Sequence, residues 1–105
     1  MLTPTDIAEY GERHVEKWLT ENGYRCYHHS QRHGTKDLEA RSADINMLVH
    51  VNTSLEPKAA PPLTQSDHDS ICSRAMTLGF DPWMAQLQID RNGDLFGEIV
   101  WTKLK

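Results

Sequence analysis

Residues 47–53 read MLVHVNT, and their alternation is the most regular in the chain. Met47, Val49 and Val51 fall on one side, and Leu48, His50 and Asn52 on the other. A period of two with valines on the apolar side predicts a strand with one buried face. Just upstream, residues 37–41 read DLEAR and predict a short strand, separated from the first by a turn at Ser42-Ala43-Asp44. A link that short folds the two strands back against each other.

Working outward, residues 24–30 predict another strand, with Tyr24, Cys26 and His28 on one face and Arg25, Tyr27 and His29 on the other. A polar turn containing Gly34 joins it to Asp37. Ahead of it lies a helix. Thr3 is its N-cap, Pro4 suits the first helical position, and Asp6 completes a Thr-x-x-Asp form of the capping box. Ile7, Tyr10, Val15, Trp18 and Leu19 recur at helical spacing, and Asn22-Gly23 ends the run. Downstream, Pro57, Pro61 and Pro62 mark a loop over residues 54–63. Thr64 or Ser66 caps a second helix whose apolar stripe is Ile71, Cys72, Ala75 and Met76, with Gly79 at its end. Residues 83–90 alternate again. Arg91-Asn92-Gly93-Asp94 predicts a type I′ hairpin turn, and residues 95–104 form the last strand.

The predicted order is therefore αβββαββ. The first three strands form an antiparallel meander, and the second helix crosses over to the fourth. The fold class is α/β, with a central mixed sheet flanked by helices. At 105 residues the chain is one domain, 1–105, because two halves would be too small to bury separate cores. No apolar run is long enough to span a bilayer. MLTPTDIAEYGE has neither the basic start nor the apolar stretch of a secretory signal. Two cysteines make no disulfide framework, so the expected compartment is the cytoplasm.

The net charge of −4 argues against a strongly basic nucleic-acid binder but leaves room for a local basic patch. The first 36 residues hold five acidic and five basic side chains, so the acidic excess lies in the remainder. Arg25, Arg32, Lys36 and Arg41, with His28, His29 and His33 nearby, form the most cationic stretch.

The order and its residues resemble the restriction-endonuclease-like fold of the PD-(D/E)XK nuclease superfamily, and within it the small Holliday-junction-resolvase-like domains. GERHVEKWLTENGY is similar to the first helix of that family, with Glu12 matching its metal-site Glu. GTKDLEA places Asp37 at the family's strand-borne Asp. MLVHVNTS aligns with the strand that ends in (Glu/Asp/Gln)-x-Lys, and SRAMTLGFDPWMAQL is similar to the helix-Gly-x-x-Pro-strand segment. The resemblance implies phosphodiester hydrolysis with Mg²⁺ or Mn²⁺ held by carboxylates, and a Lys on the same strand face that orients water.

In this chain His50 stands at the Glu position and Asn52 at the Lys position. They share a face, but imidazole is a poor Mg²⁺ ligand and the amide carries no charge. A degenerate site at Asp37, His50, Asn52 and Glu12 follows, with no cofactor expected unless cleavage survives. For surviving activity the candidate metal ligands are Asp37, Glu39 and His50, with Asp44 nearby and Lys36 or Arg74 replacing the lost Lys. Two roles are open. The domain could associate with DNA, its phosphates met by Arg25, Arg32, Lys36 and Arg41. Alternatively, it could be a protein-interaction or homodimer module offering Phe96, Val100 and Trp101.

Other constellations carry less. Cys26, His28, His29 and His33 give a zinc-like spacing, but adjacent strand residues face opposite ways. Cys72 fits a core position, and His14 fits a packed, hydrogen-bonded histidine. Asp67 and Asp69 complement a helix dipole. The tryptophans suit burial, and Gly11 and Gly34 make no phosphate loop, so no nucleotide cofactor is expected.

Overall fold

The computed structural model describes residues 1–28, 37–60 and 62–105. The elements are α1 (Pro4–Glu21), β1 (Arg25–His28), β2 (Asp37–Arg41), β3 (Asn46–Leu55), α2 (Gln65–Leu78), β4 (Asp81–Ile89) and β5 (Leu95–Lys103). They form one five-stranded sheet in the order β1-β2-β3-β4-β5. β3 and β4 run parallel and every other pair is antiparallel. The mixed sheet and its αβββαββ order are those read from the sequence. Among the described residues, no helix is long and apolar enough to cross a membrane.

Two local signals start α1. Thr3 accepts from the Asp6 amide at 3.1 Å, and Asp6 accepts from the Thr3 amide at 3.0 Å, which closes the capping box. The Thr3 amide first, and the Thr3 hydroxyl after it, hold the Asp6 carboxyl below its ordinary range. α2 is capped by Thr64 rather than Ser66, through a 3.1 Å bond from the Asp67 amide, and Gly79 ends it in the left-handed conformation at φ 74°. β3 continues to Leu55, two residues past its sequence-predicted end at Thr53.

Strand alternation separates the two faces. Leu38, Ala40, Met47, Val49, Ala85 and Leu87 meet Val15 and Leu19 of α1. Leu48 alone of β3's opposite side joins Ile71 and Ala75 of α2 in the second, smaller cluster. The helices therefore lie on opposite faces. Trp101 belongs to the α1 side, with its ring 4.8 Å from that of Trp18. It is thus a packing residue, whereas Phe96 and Val100 remain exposed as the interface reading requires.

The β4–β5 connection differs from the type I′ expectation. Among the described residues none other than glycine has positive φ, so Asn92 does not take the left-handed conformation that turn demands. The Gly93 amide instead bonds the Asp90 carbonyl at 3.0 Å, with Gly93 at φ 86°. Asp90 Oδ1 accepts from the Asn92 amide at 2.8 Å and the Asp94 amide at 3.1 Å. The acid before the Asn-Gly pair satisfies the turn's donors and makes the longer form the better one.

Gly11 sets how closely α1 approaches β3: a Cβ there would overlap the Thr53 side chain. Both atoms attached to Thr53 Cβ lie in the way, so no single rotation clears it. Gly11→Ala should lower stability by about 1–3 kcal/mol through overpacking, read as a shifted urea midpoint with an unchanged m-value.

Candidate functional site

The β2–β3 register pairs Asp37 with His50 directly across the ladder. Both side chains leave the sheet on the α2 side, as do Glu39 and Asn52. Asp37 is fully buried. A carboxylate in that position needs partners, because an unpaired buried charge is far costlier than a paired one. It has two. His50 Nδ1 donates to Oδ1 at 3.1 Å, and Arg74 Nη1 of α2 forms an ion pair with Oδ2.

Arg74 reaches the carboxylate because it sits three residues after Ile71 and one before Ala75, both buried against the sheet. The helix face that packs on Leu48 thus brings a guanidinium to the end of β2. Asn52 lies two residues along the face from His50, with Gln86 of β4 beside it in register. Where the resembled family carries a second acid and an amine, this surface carries an imidazole and two amides.

Glu39 is turned away from Asp37. Its Oε2 accepts from Arg41 Nε at 3.0 Å and Nη2 at 2.8 Å. The Arg41 guanidinium also lies 5.4 Å from the Tyr27 ring centre and 5.2 Å from that of Phe80. Arg25 pairs with Arg41 across β1 and β2, shares its face, and is exposed. Of the predicted basic group, then, Arg25 is open and Arg41 is neutralised on one side. Arg32 and Lys36 lie outside the described residues.

Glu12 does not accompany Asp37 on this face. It follows Gly11 on α1, across the sheet, with Oε2 3.9 Å from His28 Nδ1. His28 Nε2 is 3.0 Å from Glu16 Oε2. The zinc-like spacing likewise does not assemble in the part that can be described: His28 faces these acids, and His29 and His33 lie outside the described residues. Cys26 is half-buried on the same side, where desolvation, aided by the Glu16 charge, pushes its thiol up against a smaller opposing effect from Thr20. Both cysteines are free, Cys72 being buried under α2 with His68 beside it.

Among the described residues no three His, Cys, Asp or Glu side chains, Asp37, Glu39 and His50 included, are placed to hold a metal ion. The physical reason is that each is engaged. Asp37 is bound on both oxygens and Glu39 is drawn to Arg41, while His50 faces the acid through Nδ1. The donor set does not suit Mg²⁺, which demands several oxygens in near-octahedral array. A guanidinium on Oδ2 also opposes a second cation electrostatically.

This topology is the restriction-endonuclease-like fold, with Asp37 at the head of β2 and His50 beside it on β3. One solved structure that shares it is Hjc of Archaeoglobus fulgidus, a Holliday junction resolvase from an archaeal hyperthermophile. The TM-score is 0.71 at 11% identity, over 92% of this chain and 72% of that one. No family model matches the sequence, and no curated protein matches it.

Arg74→Gln should take from the buried carboxylate its guanidinium partner with no charged group in its place, leaving His50, and destabilise the fold by about 3–5 kcal/mol in urea denaturation. Asp37→Asn in the same chain should recover most of that loss, since a neutral amide needs no cation. Cys26 should alkylate more slowly than an unfolded-chain thiol at pH 8, the difference disappearing in denaturant, because the thiolate fraction controls the rate.

Proposed function

We propose that this chain is a DNA-associated protein on a nuclease scaffold whose metal-dependent cleavage has been lost. The observation that carries the reading is the Asp37 carboxylate, bound through one oxygen by His50 and through the other by Arg74. The position from which a metal would be coordinated is filled by a fixed cation of the protein itself. Support for nucleic acid as the partner comes from the fold shared with a Holliday junction resolvase. The exposed Arg25 at the β1–β2 edge adds to it, as does Arg41, whose side chain is half exposed. Arg32 and Lys36 would extend that strip. Phosphate contacts of this kind position a duplex without reading its sequence.

A second reading, a protein-interaction module that pairs with another copy, draws on Phe96 and Val100. They are 51% and 57% exposed on the outermost strand. The third, an active endonuclease using Asp37 with relocated partners, would cast Arg74 as the relocated cation and requires the carboxylate to be released from it.

Duplex DNA and a four-way junction, incubated with the protein in Mg²⁺ or Mn²⁺, should remain intact while being retained in a gel-shift assay at low salt. Retention should weaken steeply as salt rises. Cleavage abolished by Asp37→Ala would overturn the loss of activity. A stable dimer with no DNA retention would favour the interaction module. Restoring the acid and amine with His50→Glu and Asn52→Lys should not by itself revive cleavage, because Arg74 still holds Asp37. Adding Arg74→Ala to that pair should be the minimum change that does.

A further inference from the structure

Exchanging an acid and an amine for His50 and Asn52, with Arg74 against Asp37, changes what this surface attracts. A metal-binding site concentrates negative charge; this one holds one carboxylate matched by one guanidinium, beside a neutral amide and an imidazole. The buried acid occupies Nη1 of Arg74 and Nε donates to the Ser70 carbonyl at 3.4 Å, so Nη2 is the nitrogen left for a ligand. The guanidinium is a fork of five N–H donors, and its side chain remains 29% exposed. His50 is similarly one-sided. Nδ1 is fixed by Asp37, the ring is 17% exposed, and Nε2 has no hydrogen-bond partner among the described residues. The two groups are tied to the two oxygens of one carboxyl group, so they are neighbours by construction. A cleft of about 270 Å³ opens beside Arg74, lined with it by Leu48, Ser73, Thr77 and Leu78.

We infer that Arg74 and His50 form a metal-free receptor for a single phosphodiester group, in which the guanidinium does directly what a bridging cation would otherwise do. Asp37 is then a positioning residue: it accepts from Nδ1–H and holds one nitrogen of the guanidinium, and the ring binds a phosphate oxygen through Nε2–H in its doubly protonated form, the one in which both nitrogens donate. Arg is suited to the task, because the donors of Nη2 stay charged and lie in a fixed plane that suits phosphate oxygens. The inference rests on the proposed association with DNA for its macromolecular ligand, but the receptor is defined by the phosphodiester alone.

The test uses two probes on the whole chain in EDTA. The first is the dinucleotide thymidylyl-thymidine, titrated while the His50 ring nitrogens and the Arg74 Nε–H are followed by ¹H–¹⁵N NMR. Saturable shifts at both side chains are expected, unchanged by Mg²⁺. The second is a fluorescent duplex, with affinity measured against salt for Asp37→Asn and for Asp37→Asn with Arg74→Gln. This comparison removes the guanidinium without stranding a buried charge. The double variant should bind about three- to tenfold more weakly, and its log–log salt slope should fall by about one, the value for one phosphate contact. His50→Gln, which keeps a side-chain amide against Asp37, should weaken dinucleotide binding with less effect on the slope.

DNA binding with stationary His50 and Arg74 signals and equal slopes would overturn the receptor while leaving the DNA association standing. Dinucleotide shifts in a protein that retains no DNA would support the receptor and overturn the DNA association. Affinity that requires Mg²⁺ would overturn the metal-free character of the site.

Discussion

A carboxylate placed at the head of β2, under a helix and out of reach of water, has to be answered by the elements around it. The antiparallel register supplies His50 from the neighbouring strand. The crossover supplies Arg74 from α2. If α2 slid by a turn, or β2 slipped by one residue, the acid would lose a partner, and a slip would also turn Leu38 and Ala40 off the α1 core. The ion pair therefore acts less as a source of stability than as a constraint on register, since buried pairs seldom repay their desolvation by much.

The sheet's two sides are used differently. The α1 side carries the larger apolar cluster, with Trp18 against Trp101 and Gly11 admitting Thr53. The α2 side is only partly covered. Beyond Leu48 and its small cluster, it presents Tyr27, Arg25 and Arg41 at one edge and Phe96 and Val100 at the other. The charged edge and the apolar edge are separated by the Asp37 group. A ligand carrying phosphate would find its counterparts on the first, and a second protein surface on the other.

Much of this was legible in the sequence. The capping box at Thr3, Pro4 and Asp6 and the glycine ends of both helices are local signals that need no tertiary context. So is the alternation in MLVHVNT, and the αβββαββ order followed from them. The facing of Asp37 and His50 was also accessible, because a short turn between alternating strands leaves few registers. The pairings of long side chains were not. Arg74 reads as a stand-in for the lost Lys, and only the packing of Ile71 and Ala75 aims it at the buried acid. Glu39 was equally ambiguous: strand parity puts it beside Asp37, yet Arg41, two residues on, competes for it and wins through two hydrogen bonds. The place of Glu12 was hidden for a different reason. A helix position that matches a motif says nothing about which face of the sheet the helix covers. The hairpin turn departed from expectation because the side chain of Asp90, outside the Asn-Gly pair, decided the geometry.

The bond from His14 to the Gly93 carbonyl, at 2.7 Å, closes a span of 79 residues. Tyr10 rests against the same glycine. The first helix and the last hairpin thus latch onto each other although nearly the whole polypeptide separates them. Such a closure must be among the late events of folding, since the entropy of bringing distant segments together is met before the contact rewards it. Its consequence is that the molecule's two ends share one fate: loosening the hairpin unseats the helix, and amide protons in both should exchange as one cooperative unit.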